Sequence, residues 1–281
     1  MPEVIKHRRT LASVVSQTEI APRHFRLRLS APHVALQACA GQFVHILPRD
    51  GSSHDPLLRR AFSIMATDDA DIDIIYRVGG RGTTLMSQWS TGNLVDIIGP
   101  IGNGFSGLPV APQRAILVGG GVGVPPLAML ASCRTGSHDL LALLGARSAQ
   151  EVICREDFMK HEVPVHIATD DGSLGHQGFV TDLLKVELAR DKNAVVYACG
   201  PLPMLRATAR VCADFDVPCQ VSLEENMPCG VGVCNGCVVP VAQAGDDYGL
   251  YRRICVEGPV LWAHEINWGG FALGTQHGGR S

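Results

Sequence analysis

The chain has 281 residues, 46% of them hydrophobic, and a net charge of −3, which is room for two domains and a small appendage. Without excess positive charge it lacks the profile of a nucleic-acid binder. No apolar run reaches the roughly 18 residues of a membrane span, so a soluble cytoplasmic protein is expected.

Ten cysteines do not imply a disulfide scaffold. The chain is too large to need stapling, and Ser13, Ser16, Gln17, Thr18 and Glu19 interrupt any export signal behind the basic start Lys6-His7-Arg8-Arg9. That start is expected to be a solvated segment. Cys39, Cys133, Cys154, Cys212 and Cys219 are expected to be reduced core residues.

Residues 1–108 form the first expected domain. Phe25–Leu29 alternates, Phe43–Leu47 is mostly apolar, and Ile72–Val78 and Leu94–Ile98 are strand-like, a spacing that argues for a small antiparallel barrel. Only Thr83–Gln88 reads as helix. In the extended segment Arg59-Arg60-Ala61-Phe62-Ser63, Arg60 and Phe62 share one face. Gly79-Gly80-Arg81-Gly82-Thr83-Thr84 then opens the helical stretch, where free N–H groups can hold an anion.

Residues 109–221 form the second. Ala115–Val118, Leu140–Leu144, Val163–Ala168 and Val195–Ala198 are apolar strands alternating with helical stretches at Leu127–Ser132, Glu151–His161, Phe179–Arg190 and Pro203–Asp214. This predicts a parallel sheet covered on both faces, with its ligand at the strands' C-terminal ends. Gly119-Gly120-Gly121-Val122-Gly123 follows the first strand there, but the sixth position of the usual dinucleotide fingerprint is Val124 or Pro126 rather than glycine. Either a dinucleotide loop or a tight structural turn fits. Cys199-Gly200-Pro201 ends another strand. Arg147 is placed for a 2′-phosphate or for solvent, and Thr169–Ser173 reads as a turn. The histidines do not fall at metal spacing; Pro164 divides His161 from His166.

Residues 222–281 hold the most specific motif. Cys229, Cys234 and Cys237 are separated by four and then two residues, and Cys255 follows after seventeen more, the plant-type 2Fe-2S spacing. Glycines at 230, 232 and 236 let the backbone wrap a cluster. Structural zinc is the competing reading. The glycine-rich end, Gly269 to Gly279, is expected to be mobile.

Together these segments resemble the ferredoxin-reductase-like flavoproteins. The implied fold is β + α/β: an antiparallel FAD-binding β-barrel, a doubly wound parallel-sheet nicotinamide domain and a small C-terminal 2Fe-2S module. On this resemblance Arg60 pairs with the FAD diphosphate, Ala61, Phe62 and Ser63 line the flavin, Ile75, Tyr76 and Arg77 approach its ring or ribityl part, and Gly82 and Thr83 meet the phosphates. Gly119, Gly120, Gly121 and Gly123 hold the NAD pyrophosphate, and Cys199, Gly200 and Pro201 pack near the nicotinamide. Cys229, Cys234, Cys237 and Cys255 ligate the cluster.

The order of modules and the loop Glu224–Cys237 resemble the electron-transfer subunit of NAD-dependent (class 1B) dihydroorotate dehydrogenase. That family passes electrons from an FMN-containing catalytic subunit, in a heterotetramer, through 2Fe-2S and FAD to NAD⁺ in pyrimidine biosynthesis. No general acid or base is then needed in this chain. Similar subunits of hydrogenases, sulfide dehydrogenases or NAD(P)H:ferredoxin oxidoreductases are the alternatives. Val231, Val233, Leu261 and Trp262 are candidates for a partner surface, and the tail beyond Trp262 has no assigned part.

Overall fold

The computed structural model describes residues 8–49, 53–110, 113–133, 138–245 and 249–271. Strands β1 (Arg8–Ala21) and β2 (His24–Ser30), helix α1 (Pro32–Ala35), strands β3 (Phe43–Ile46), β4 (Arg60–Asp68) and β5 (Asp71–Arg77), helix α2 (Arg81–Met86) and strand β6 (Leu94–Ile101) come first. The six strands close a barrel in the order β1-β2-β5-β4-β3-β6. Closure depends on β1, whose 14 residues reach both neighbours: Ser16–Glu19 pair with β2, and Arg8–Ser13 pair with β6. The basic start is therefore no loose segment from Arg8 onward, because Arg9 is anchored on Asp96 at 2.9 Å. Lys6 and His7 lie outside the described residues.

The second unit contains β7 (Arg114–Gly120), α3 (Val124–Ser132), β8 (Asp139–Ala146), α4 (Arg155–Lys160), β9 (Val165–Thr169), β10 (His176–Gln177), α5 (Val180–Arg190), β11 (Ala194–Cys199), α6 (Leu202–Phe215) and β12 (Cys219–Ser222). Its strands pair in parallel, as the continuous apolar runs of all but the short, exposed β10 require. Helices α3 and α4 pack together, as do α5 and α6. The sheet order β10-β9-β8-β7-β11-β12 puts the change of winding direction between β7 and β11.

Strands β13 (Val238–Gly245) and β14 (Gly249–Arg253) form a hairpin in the third unit, and β15 (Val260–Trp262) pairs antiparallel with β12. The cysteine module thus supplies the seventh strand of the nucleotide sheet. Its other side meets the barrel: Asn103 N–H donates to Gly258 O at 2.6 Å, and Asn103 bridges to Pro259. Trp268 and Phe271 pack against each other in this unit, so the chain just past Trp262 is core. Residues 272–281 of the glycine-rich end lie outside the described residues.

Barrel and nucleotide domain share one apolar core, with α3 laid against β4. Polar straps add to it. Arg26 on β2 binds Asp73 at 2.7 Å and reaches Asp157 on α4 at 3.0 Å, and Tyr197 donates to Gly107 O at 2.9 Å.

Candidate redox site

Strand β4 carries the segment expected to line the flavin. Arg59 and Arg60 have different surroundings. The Arg59 guanidinium is held by Asp96, through its carboxylate at 2.9 Å and its carbonyl at 2.9 Å. Arg60 is exposed and only curls onto the carbonyls of Leu58 and Arg59. Ala61, Phe62 and Ser63 are half-buried. Ile75 and Tyr76 on β5 are 4% and 2% exposed; Tyr76 stacks on Phe25, meets Phe62 edge-on and donates to Gln17 at 2.9 Å. Their side chains belong to the barrel core, so what they can offer a ligand is main chain. Arg77, next in line, is half-buried and in no ion pair among the described residues.

At the start of α2, Thr83 Oγ accepts the N–H groups of Gly79 and Gly80 at 2.9 and 3.2 Å. The N–H groups of the first helical turn remain without helical acceptors. Gly82 is buried against Pro48, whose Cγ would lie 3.0 Å from any added Cβ.

The two glycine turns predicted separately at β7 and β11 are one structure. A Cβ on Gly123 would come within 2.5 Å of the Cys199 carbonyl, and one on Gly120 within 2.6 Å of Met204 Sδ. A Cβ on Gly200, at φ +157°, would lie 3.1 Å from the Gly120 nitrogen. Gly121, at φ +53°, faces open space. The turn Gly121–Gly123 abuts β5, so this crevice opens toward the barrel at the reversal of strand order, where dinucleotides bind such sheets. Cys199 is buried beside Ser222, and burial pushes its thiol up to about 12. Such a group packs and does not attack. Arg147 is exposed. Thr169–Ser173 is a turn, closed by Gly172 N–H to Thr169 O and by Ser173 on Asp171.

The four loop cysteines are arranged as two pairs. Cys237 and Cys255 are buried with their Sγ atoms 3.2 Å apart. Cys229 and Cys234 are more open, and their Sγ atoms accept the N–H groups of Val231 and Gly236 at 3.5 and 3.4 Å. Burial raises Cys229, but N–H groups of Val231, Cys234 and Val233 outweigh it and bring the thiol down to about 7. The hydrogen bond from Cys255 likewise lowers Cys237. Among the described residues, no three side chains of ligating type close on one metal-ion position; a dinuclear cluster asks instead for two cysteines per iron. The chemistry of the donors and the wrap of the loop fit it. Gly230 and Gly232 take φ +72° and +80°, and a Cβ at either would meet His45 Nδ1 or Val256 Cγ2 at 2.5 Å. Arg253 donates to Gly232 O at 3.1 Å and fixes the loop's far side.

Two residues of this site escaped the sequence reading. Arg253 stands two positions before Cys255. His45 interrupts the apolar run of β3, and a lone polar residue in such a run was the available signal. Of the remaining cysteines, Cys154, Cys212 and Cys219 are buried as expected, whereas Cys39 and Cys133 are exposed, one in a turn and one at the end of α3. Of the proposed surface residues, Val233 is 79% exposed, but Leu261 is core because β15 turns it into the sheet.

Barrel, nucleotide crevice and cysteine loop define a ferredoxin-reductase-like iron–sulfur flavoprotein. Residues 12–105 match an oxidoreductase FAD-binding domain, 117–210 an oxidoreductase NAD-binding domain, and 224–267 the iron–sulfur cluster binding domain of dihydroorotate dehydrogenase B. The chain belongs to the family of dihydroorotate dehydrogenase B (NAD⁺) electron transfer subunits. It is 38% identical to that of Desulforamulus reducens over 92% of this chain and 97% of the relative, and 43% identical to that of Bacillus caldolyticus over 90% and 96%. An NADH-dependent reduced ferredoxin-NADP oxidoreductase superposes with a TM-score of 0.79 at 28% identity, covering 92% and 91% of the two chains. The ferredoxin reductase of carbazole 1,9a-dioxygenase, at 0.63 and 21% over 76% and 68%, shares the fold.

Proposed function

We propose that this chain relays electrons from dihydroorotate oxidation in an FMN-containing catalytic partner to NAD⁺, in a cytoplasmic heterotetramer serving pyrimidine biosynthesis. The observation that carries the reading is the place of β4. Ala61 packs into the same apolar cluster as Cys237 and Cys255, while α3 and the Gly121–Gly123 turn approach the barrel from the nucleotide side. The flavin strand lies between the entry and exit points of the electrons. The reading divides the chain at residues 1–108, 109–221 and 222–281.

When bound, FAD supplies the exchange between one-electron and two-electron transfer. Arg60, uncommitted to carboxylates, binds its diphosphate together with the N–H groups of Gly82 and Thr83, and Arg77 approaches the ring or ribityl part. Ala61, Phe62 and Ser63 border the ring, with main chain from Ile75 and Tyr76. Gly119, Gly120, Gly121 and Gly123 admit the NAD pyrophosphate, and Cys199, Gly200 and Pro201 floor the nicotinamide end. Cys229 with Cys234, and Cys237 with Cys255, each hold one iron. Val231 and Val233, exposed beside the cysteines, face the partner. On this reading the proton of dihydroorotate is abstracted in the partner, not here.

The test is affinity purification from the native cell under anaerobic conditions, followed by assay of the eluate. Co-elution of a flavin-containing catalytic subunit with dihydroorotate-dependent NAD⁺ reduction is the expected result. A hydrogenase or a ferredoxin-linked partner without that activity would overturn the substrate while leaving the relay in place.

A further inference from the structure

His45 is fully buried in the middle of β3, and it is neither a cluster ligand nor one of the flavin residues. It lies directly across from Ala61 on β4 and from Ile98 on β6, and directly opposed residues share a face. That face is the one the cysteine module covers. Phe43, Ile101, Ala61 and Ile98 of the barrel join Met227, Cys237 and Cys255 in one apolar cluster. His45 is the polar side chain set into this seam.

The imidazole faces the carbonyls of Met227 and Cys229, and Gly230 passes so close that a Cβ there would lie 2.5 Å from Nδ1. Yet neither ring nitrogen completes a hydrogen bond. A buried polar group without a partner costs about 1–3 kcal/mol, and it is retained where something else depends on it. Groups just outside a metal's ligands orient those ligands and tune the metal, and cluster potentials respond to hydrogen bonding and solvent access.

We propose that His45 is a positioning residue for the cluster: a ring N–H engages the Met227–Cys229 main chain, holds the Cys229 end of the loop against β3 and β4, and thereby sets the cluster's reduction potential. The role rests on the iron–sulfur reading of the four cysteines. It explains why the seam keeps a histidine where an apolar residue would pack, and why Gly230 must be glycine.

The experiment compares full-length holoprotein with His45→Phe, which keeps the ring volume but has no donor, and His45→Gln, which restores an N–H. Iron and FAD content, the spectrum of the reduced cluster by electron paramagnetic resonance, and a redox titration are read on each. Expected for His45→Phe is a threefold or larger shift of the one-electron equilibrium toward oxidised cluster and altered g-values, with FAD content unchanged. His45→Gln should return both toward the wild type. An unchanged potential and spectrum in His45→Phe, or equal shifts in both variants, would overturn the role. If His45→Phe fails to load iron, a loaded His45→Gln with near-normal potential supports the proposal, and failure of both to load sinks it. Wild-type protein without a cluster signal would instead remove the iron–sulfur reading itself.

Discussion

Gly123 and Cys199 touch backbone to backbone: any Cβ on the glycine would sit 2.5 Å from the cysteine's carbonyl carbon and oxygen. Two turns distant in sequence are thereby locked into one crevice at the ends of β7 and β11. Gly123→Ala must push them apart. The affinity for NADH should fall tenfold or more, about 1.4 kcal/mol, while flavin and iron content hold. NADH titration of the purified protein checks this, and unchanged affinity would place the nicotinamide elsewhere.

The open and buried halves of the cysteine set should respond differently. Cys234→Ser removes an exposed cysteine proposed as a ligand, so the cluster should be lost while the barrel keeps FAD. Cys255→Ser alters a buried pair packed in the core, so it should also lower the melting temperature by several degrees, since roughly 1 kcal/mol moves a domain of this size by about 2–4 °C. Iron analysis with thermal unfolding separates the two. A normal cluster signal in Cys234→Ser would refute its assignment as a ligand.

Adjacent arginines on the flavin strand should have opposite phenotypes. Arg60→Ala should reduce FAD occupancy with little change in stability of the flavin-free protein. Arg59→Ala leaves Asp96 half-buried without the more buried of its two arginines and should cost about 1–3 kcal/mol of stability. Flavin content and denaturant unfolding measure each. Full FAD retention in Arg60→Ala would count against its role at the diphosphate.

Asp73 couples acidity to the domain arrangement. Burial would raise its carboxyl, but hydrogen bonds from Arg28 and Arg26 outweigh that and hold it below the usual carboxylate range. A depressed folded-state value means its stabilisation is present above the unfolded value of about 4 and is lost as pH falls through the lower folded value. Asp73→Asn should therefore destabilise by about 3 kcal/mol at pH 7, in the range for breaking a buried pair, and the two proteins should converge below about pH 4. A constant gap across the range would show that charge is not the cause.

Most strands were legible because their side chains alternate or run apolar. The nucleotide sheet was the clearest case, since its strands are buried on both faces. What the residues concealed was nonlocal. The full length of β1 is obscured by polar residues such as Ser16 and Thr18, which are exposed on the outside of a barrel that only tertiary closure defines. Strand β15 is three residues long and becomes a strand only by pairing with β12. The cysteine spacing was readable in order but not as two pairs, because Cys255 returns through the β13–β14 hairpin. Which part of Tyr76 faces a ligand was hidden too, since Phe25, Phe62 and Gln17 enclose its side chain and leave its main chain. His45 gained its meaning only when Gly230 arrived beside it.

The antiparallel pairing of β15 with β12 has a bearing on how this protein can be cut or grafted. An edge strand stripped of its neighbour presents a row of unsatisfied N–H and C=O groups, a template for joining other chains. Removing the chain after Ser222 would not release a clean two-domain reductase. It would bare β12, and the truncated protein should self-associate. The cysteine module is the selvage of the nucleotide sheet, woven into its margin rather than sewn on.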